Sequence, residues 1–543
     1  MTGKERIQHA FAGQKGDRVP WVPFVGCHAG MLIGEDAESY LKSADLVEAG
    51  VAKAVELYRP DGIPVMFDLQ IEAEALGCGL AWAKENPPAV MRHPLGNGTA
   101  LKDLQVPGPE AGRIGIALEA TRRIRRNHPD LAVYGLITGP FTLALHLLGT
   151  DIFMKMFDSP HEVHQLLEFC RDVGTAMSSY YIEAGCDVVA LVDPMTSQIG
   201  PEQFEQFVTP YVKDIFSTIA AEGALSSFFV CGHAQQNIPV MARSGCGNIS
   251  IDENIPLEYV REECRRRNIS FGGNLQLTSV LLLGKPLDAQ KNALACLDVA
   301  GEEGFILAPG CDLPYSTPPE NLQAVADIVH DPYKRDVVRQ MATETVDEDR
   351  LDLVEYGQAD KVVVDIVTLD SEACAPCQYM VDAVKRVAPE FEGIVIWREH
   401  KIKYRESLVF MTSLMVRNVP TICIDGEIVF VSRIPPRDEL IAAIQKRINE
   451  KFRIRIQSRR ATLFLMGEED DRMAALRANV EQAMRELGAS DVGVEHVQDE
   501  EEIARFGIAP SQTPAVVMSR YQVKSLHRVP ETVVIKEWLK DLG

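Results

Sequence analysis

The stretch CDVVALVDPMTSQIG (residues 186–200) decides how this chain is read. Its apolar β-rich core is too short for a helix, stops at Asp193-Pro194, and runs into the helical pattern PEQFEQFVTPYVKDIF (201–216). Working outward, the same unit recurs. WVPFVG (21–26), GIPVMFD (62–68), AVYGLITG (132–139), SSFFVCG (226–232), CGNISID (246–252), ISFGGN (269–274) and GFILAPG (304–310) each end at Gly, Asp or Asn before a helical stretch. Eight strands alternating with helices over 1–338 predict an α/β fold, a (β/α)8 TIM-like barrel. An open doubly wound sheet is the rival, weakened because no G-x-G-x-x-G follows the first strand.

The chain has 543 residues, too many for one hydrophobic core, so several domains are expected. Hydrophobic residues at 46% and charged residues at 24% describe an ordinary globular composition. A net charge of −23 repels polyanions, so nucleic acid and anionic membrane surfaces are excluded as partners. The start MTGKERIQHAFAGQ has no apolar signal core and no long apolar run follows, which points to the cytoplasm and to reduced thiols for the 12 cysteines. The composition leaves a homodimer open.

Chemistry in such a barrel sits where strands end, at the C-terminal face. The polar and sulfur residues at those ends are Cys27, His28, Asp68, Glu72, Thr138, Asp193, Cys231, His233, Asp252, Asn274 and Cys311. Cys231 and Cys311 each adjoin a glycine, where backbone comes close and a ligand reaches the sulfur. Thiolates with imidazole suit zinc, and a catalytic zinc site uses about three protein ligands plus an open position. Cys170, Cys186, Cys264 and Cys296 read instead as small buried hydrophobes.

These segments resemble the uroporphyrinogen decarboxylase superfamily. The resemblance is carried by RIQHAFAGQKGDRVPWVPF (6–24), ITGPFTLALHLLG (137–149), VDPMTSQIGPEQFEQFVTPYVKDIF (192–216), GGNLQ (272–276) and GFILAPGCDLPYSTPPENL (304–322). True decarboxylases of the superfamily carry an arginine-rich motif after the first strand, and CHAGML (27–32) has none. The chain is more similar to the zinc-dependent branch that works with methylcorrinoid proteins, such as the methylcobalamin:coenzyme M methyltransferases. Their motif, His-x-Cys-Gly with a distant Pro-Gly-Cys, is met by Cys231-Gly232 and Pro309-Gly310-Cys311, while Phe229 stands at the histidine position. His28 or His233 is then left to supply the third zinc ligand, with His28 placed slightly ahead. The resemblance implies that zinc activates a thiol acceptor which takes a methyl group from a corrinoid on a partner protein. It also implies that Asp193, Asp252 and Asn274 orient substrate or ligands, with structural capping as the equal alternative, and that Asp68 helps bind the cofactor.

Residues 339–360 form an acidic stretch without a β-run, read as a helical connector. Beyond it, 361–452 reads strand, C-x-x-C, helix, strand, helix, strand pair, helix, and 453–543 repeats that order. Cys374 and Cys377 follow KVVVDIVTL (361–369) and open a helix, whose N-terminus favours a thiolate. Val419-Pro420 then precedes TICID (421–425). This combination resembles the thioredoxin/glutaredoxin fold, in which Cys374 attacks and Cys377 resolves. A structural zinc site would need a second cysteine pair, and only Cys423 follows. The last block resembles the same fold with MGEEDDRM (466–473) where the cysteines belong, which makes it a docking or oligomerisation module. Two functions compete: a zinc- and corrinoid-dependent methyl or alkyl transferase with a dithiol redox module, and a thioredoxin-type redox adaptor whose barrel only binds. Decarboxylation of another carboxylate ranks last.

Overall fold

A computed structural model of the chain describes residues 1–232, 234–341, 356, 361–372, 374–416, 418–460, 462–489, 492–506, 508–518 and 522–540. The connector expected over 339–360 therefore lies outside the described residues from 342 on, apart from Tyr356. Two compact units form, one from Met1–Val354 with Val363–Leu440, the other from Glu355–Val362 with Ile441–Gly543.

In the first unit the strands run β1 (Gly62–Pro64), β2 (Gly79–Ala81), β3 (Ala89–Arg92), β4 (Ala132–Thr138), β5 (Val188–Val192), β6 (Leu225–Val230), β7 (Asn248–Ile251), β8 (Ser270–Leu275) and β9 (Phe305–Pro309). Seven of them form one parallel sheet in the order β1-β4-β5-β6-β7-β8-β9, so almost every neighbour is the next strand along. The eighth predicted strand is an extended segment around Trp21. Val22 N–H donates to Leu307 O of β9 at 2.9 Å and Asp61 N–H donates to Trp21 O at 2.8 Å, so the segment spans the gap between β9 and β1. The sheet curls back on itself as a TIM-like barrel does. The hairpin β2–β3 was not foreseen, because its runs are too short to stand out.

Alternation sorts each strand between two apolar layers. Tyr134, Leu136, Ala190, Val192, Phe229, Ile306 and Ala308 fill the inside of the curled sheet, while Val133, Ile137, Val189, Leu191, Phe228, Phe305 and Leu307 face the helices. With both faces covered, β4, β5 and β9 are buried along their whole length. The helices take conventional ends. Ser43 Oγ caps Ala44–Tyr58 by accepting from Leu46 N–H, and Gly185, at φ 106°, closes the long helix Pro160–Ala184.

The first unit also holds a second sheet of β10 (Val362–Thr368), β11 (Val395–Lys401), β12 (Thr421–Ile424) and β13 (Glu427–Val431), in the order β11-β10-β12-β13. The helix Ala375–Val387 follows β10, and Val419-Pro420 is cis. In the second unit β14 (Thr462–Met466), β15 (Gly493–Val497), β16 (Ala515–Met518) and β17 (Gln522–Ser525) adopt the corresponding order β15-β14-β16-β17, and Thr513-Pro514 is cis. Its core joins Leu463, Leu465, Met473, Leu476 and Ile535 between sheet and helices. Repetition in sequence is thus matched by repetition in strand order. Among the described residues no helix is long and apolar enough to cross a membrane.

Candidate functional site

Period-2 alternation continues past the end of β6. Phe229 points into the sheet's interior and Val230 outward, so Cys231 faces inward again at the C-terminal rim. Cys311 follows β9 after Gly310, and the curl of the sheet brings the two sulfurs to 3.0 Å although 80 residues separate them. Two backbone positions allow this approach. Gly232 adopts φ 87°, a left-handed conformation that favours glycine, and a Cβ on Gly310 would run into the Glu253 carboxylate.

Polar groups fix the turn behind the sulfurs. Asp252 accepts from Gly232 N–H at 2.5 Å and from the Asn254 side-chain amide at 2.8 Å, while Asn274 donates to Asp252 O at 3.1 Å and Ile255 O at 2.9 Å. Asp252 and Asn274 therefore position the loops that carry Cys231. Burial raises both Asp252 and Glu253, and the neighbouring Asp252 carboxylate lifts Glu253 further. Its hydrogen bond to Cys311, together with burial, pushes the Cys231 thiol far up. At Cys311 the bond from Cys231 lowers the pKa and burial raises it, with a net upward shift.

Several expected site residues are put to other uses. His28 is fully buried, holds Tyr315 O at 3.0 Å through Nδ1 and Tyr58 Oη at 2.7 Å through Nε2, and is lowered to about 4 by burial. With both ring nitrogens occupied and the ring away from the cavity lining, it is not placed as a third donor to the sulfurs. His233 lies outside the described residues. Asp193 accepts from Phe141 N–H, Thr142 N–H and Thr142 Oγ1, so it caps the N-terminus of Pro140–Leu148 instead of facing a substrate. Asp68 is tied to Arg113 and to Gln70 N–H, which makes it an internal ion-pair partner. Phe229 packs against Phe24 at 5.3 Å and Phe67 at 6.0 Å between ring centroids, an apolar floor beneath the sulfurs.

A cavity of about 160 Å³ opens over this pair. Asp312 also lines it, accepting from Gly26 N–H at 2.7 Å and raised far above the carboxylate range by burial. Sequence reading passed Asp312 over, though its place beside Cys311 was a usable signal. The rest of the wall comes from segments that flank the second sheet of the same unit: Cys374 at a helix start, Lys403 after β11 and Pro420 before β12. Cys374 sits at the N-cap of Ala375–Val387, as expected. Its thiol is nonetheless pushed well up, by its hydrogen bond with Cys377 and by burial, so the helix end does not win here.

Zinc can be tested against this donor set. Two thiolates at about 2.3 Å from a tetrahedral zinc stand about 3.8 Å apart. Cys231 and Cys311 need only spread slightly to act as two of its ligands. Among the described residues no group of three or more His, Cys, Asp and Glu side chains is gathered for a metal, so a third protein donor is not found there.

Residues 2–332 match the family model described as uroporphyrinogen decarboxylase (URO-D). The methylcobamide:CoM methyltransferase MtbA of Methanosarcina acetivorans is 30% identical over 337 residues, 60% of this chain and 97% of the relative. Its counterpart in Methanosarcina mazei is 31% identical over the same 60% and 97%. Among solved structures, a methyltransferase from Methanosarcina mazei superposes with a TM-score of 0.57 at 25% identity, covering 61% of this chain and 99% of that one.

Proposed function

The chain belongs to the uroporphyrinogen decarboxylase (URO-D) family, and from that premise we propose that it is a methyltransferase that moves a methyl group from a corrinoid, carried by a partner protein, to a thiol acceptor. One observation carries the reading. Two sulfurs meet at 3.0 Å over the C-terminal rim of the barrel sheet, in a cavity of about 160 Å³. That volume is below the ~300–1,000 Å³ of drug-sized sites, which suits a small acceptor. The names of the similar methyltransferases support the same class of donor.

Cys231 and Cys311 would hold a zinc ion, which when bound supplies Lewis acidity and keeps an acceptor thiol as thiolate near neutral pH. Asp252 holds the Gly232 turn and with it the direction of Cys231. The Phe24, Phe67 and Phe229 floor keeps water from beneath the sulfurs. The second sheet with the helix Ala375–Val387, whose start holds Cys374 and Cys377, is proposed as a thioredoxin-like dithiol module, and the last sheet with its helices as the cysteine-free relative, used for docking.

The test is transfer from free methylcobalamin to a small alkyl thiol by the full chain, alongside metal analysis. Bound zinc and methyl transfer are expected, with both lost at least a hundredfold in Cys311→Ser. A folded chain that holds no zinc and methylates no thiol would overturn the assignment. A redox adaptor is the second reading, favoured by the Cys374–Cys377 pair at a helix start. Strong disulfide reductase activity toward insulin, abolished in Cys374→Ser and without methyl transfer, would replace the first reading with this one.

A further inference from the structure

Of the 12 cysteines, nine are buried and three are partly exposed: Cys231, Cys311 and Cys374. All three line the same cavity. We propose that the Cys374–Cys377 dithiol reduces a disulfide formed between Cys231 and Cys311, so that the chain repairs the sulfur pair of its own barrel.

Geometry supports each part. At 3.0 Å the barrel sulfurs are about 1 Å from disulfide bonding distance, a gap that small side-chain rotations close. The helix that presents Cys374 is fastened to the barrel. Gln378 donates to Val90 O at 2.8 Å, Asn86 donates to Asp370 at 3.0 Å, and Tyr379 is part of the barrel's apolar core. Gln198, which also lines the cavity, donates to Ser432 O at 2.9 Å and accepts from Ile434 N–H at 2.9 Å. These ties hold Cys374 at the cavity that it shares with the barrel sulfurs, leaving a foreign disulfide the harder substrate.

The exchange balances within the chain. The Cys374 thiol gives up its proton and attacks Cys231, the Cys231–Cys311 bond breaks, and Cys311 leaves as a thiolate that takes up a proton in exchange. Cys377, deprotonated, then attacks Cys374 and releases Cys231, which is protonated in turn. Two electrons and two protons pass from the module to the barrel. An external two-electron oxidant, such as a peroxide, makes the original disulfide, and an external dithiol returns Cys374–Cys377 to the reduced form.

Full-length Cys377→Ser treated with diamide, with and without a chelator, is digested and mapped without reduction. The expected product joins the Cys374 peptide to the Cys231 or Cys311 peptide within one chain. Finding Cys374 free, or joined only to a second chain, while Cys231–Cys311 stays oxidised overturns the proposal. If that variant does not fold, the unaltered oxidised chain is given limiting dithiothreitol and its thiols are followed by differential alkylation. Transfer of the disulfide from Cys231–Cys311 to Cys374–Cys377, at a rate independent of protein concentration, supports the exchange; a concentration-dependent rate, or no transfer, refutes it. Sulfur connectivity is read whether or not methyl groups move, so the two proposals fail separately.

Discussion

Arg113 shows how much of the barrel's polar interior can rest on one side chain. It is 5% exposed, pairs with the buried carboxylate of Asp68 and with Glu74 at 2.5 Å, and lies over the Trp82 ring. Removing one partner from a buried pair strands the other charge, at a cost of about 3–5 kcal/mol. Arg113→Met is expected to lower the urea midpoint accordingly, and Arg113→Met with Asp68→Asn to recover part of the loss. Glu72 offers a test of sign. It accepts from Thr138 N–H at 2.9 Å and Thr138 Oγ1 at 2.8 Å, yet burial outweighs both bonds and lifts it to about 7. Between the ordinary glutamate pKa, about 4.5, and 7 the folded chain binds more protons there than the unfolded chain, so stability falls as pH rises through that window. Glu72→Gln removes the titration and keeps the bond from Thr138 N–H, while its amide donates to Thr138 Oγ1 as that hydroxyl donates to Leu69 O. Its stability relative to the parent should therefore grow between about pH 5 and about pH 8, by on the order of 3 kcal/mol. Equal midpoint differences at the two pH values would refute the shift.

Elements are held by contacts that no single run of sequence announces. The helix Ala375–Val387 was readable from C-x-x-C after a strand, and so was Cys374 at its start. Its docking on the barrel was not, because Asn86 lies in an irregular segment, Val90 in the short strand β3 and Gln198 at the end of a single turn, none of which has a signature of its own. Gln198 bridges both ways to the segment 432–434. Each such hydrogen bond contributes about 1 kcal/mol, which is roughly a fivefold population change. Gln198→Ala should therefore speed iodoacetamide alkylation of Cys374 by about fivefold to thirtyfold, since up to two bonds are lost. An unchanged alkylation rate would mean that the segment is held elsewhere.

Charge acts on the whole molecule. With 78 acidic and 55 basic side chains, the folded chain repels itself and screening relieves that repulsion. Raising salt from about 20 mM to about 200 mM is expected to raise the midpoint of thermal unfolding, as read by calorimetry. A fall would show that the many surface ion pairs outweigh the net charge.

Local order alone determined much of this protein. Periodicity and punctuation fix which runs are strands, and alternation fixes which residues face inward, because both follow from backbone geometry within a few residues. That reasoning was enough to name Cys231, Cys311, Cys374 and Cys377 and the barrel sheet. Only the tertiary structure decided what those groups meet. The approach of two sulfurs 80 residues apart depends on how the sheet curls. Competing partners settled the uses of Asp193, Asp68 and His28: a helix end, an arginine and two tyrosines. The shared cavity of Cys374 with the barrel pair arises from packing between sheets, an interaction set by shape over long chain separations and so invisible in the order of residues.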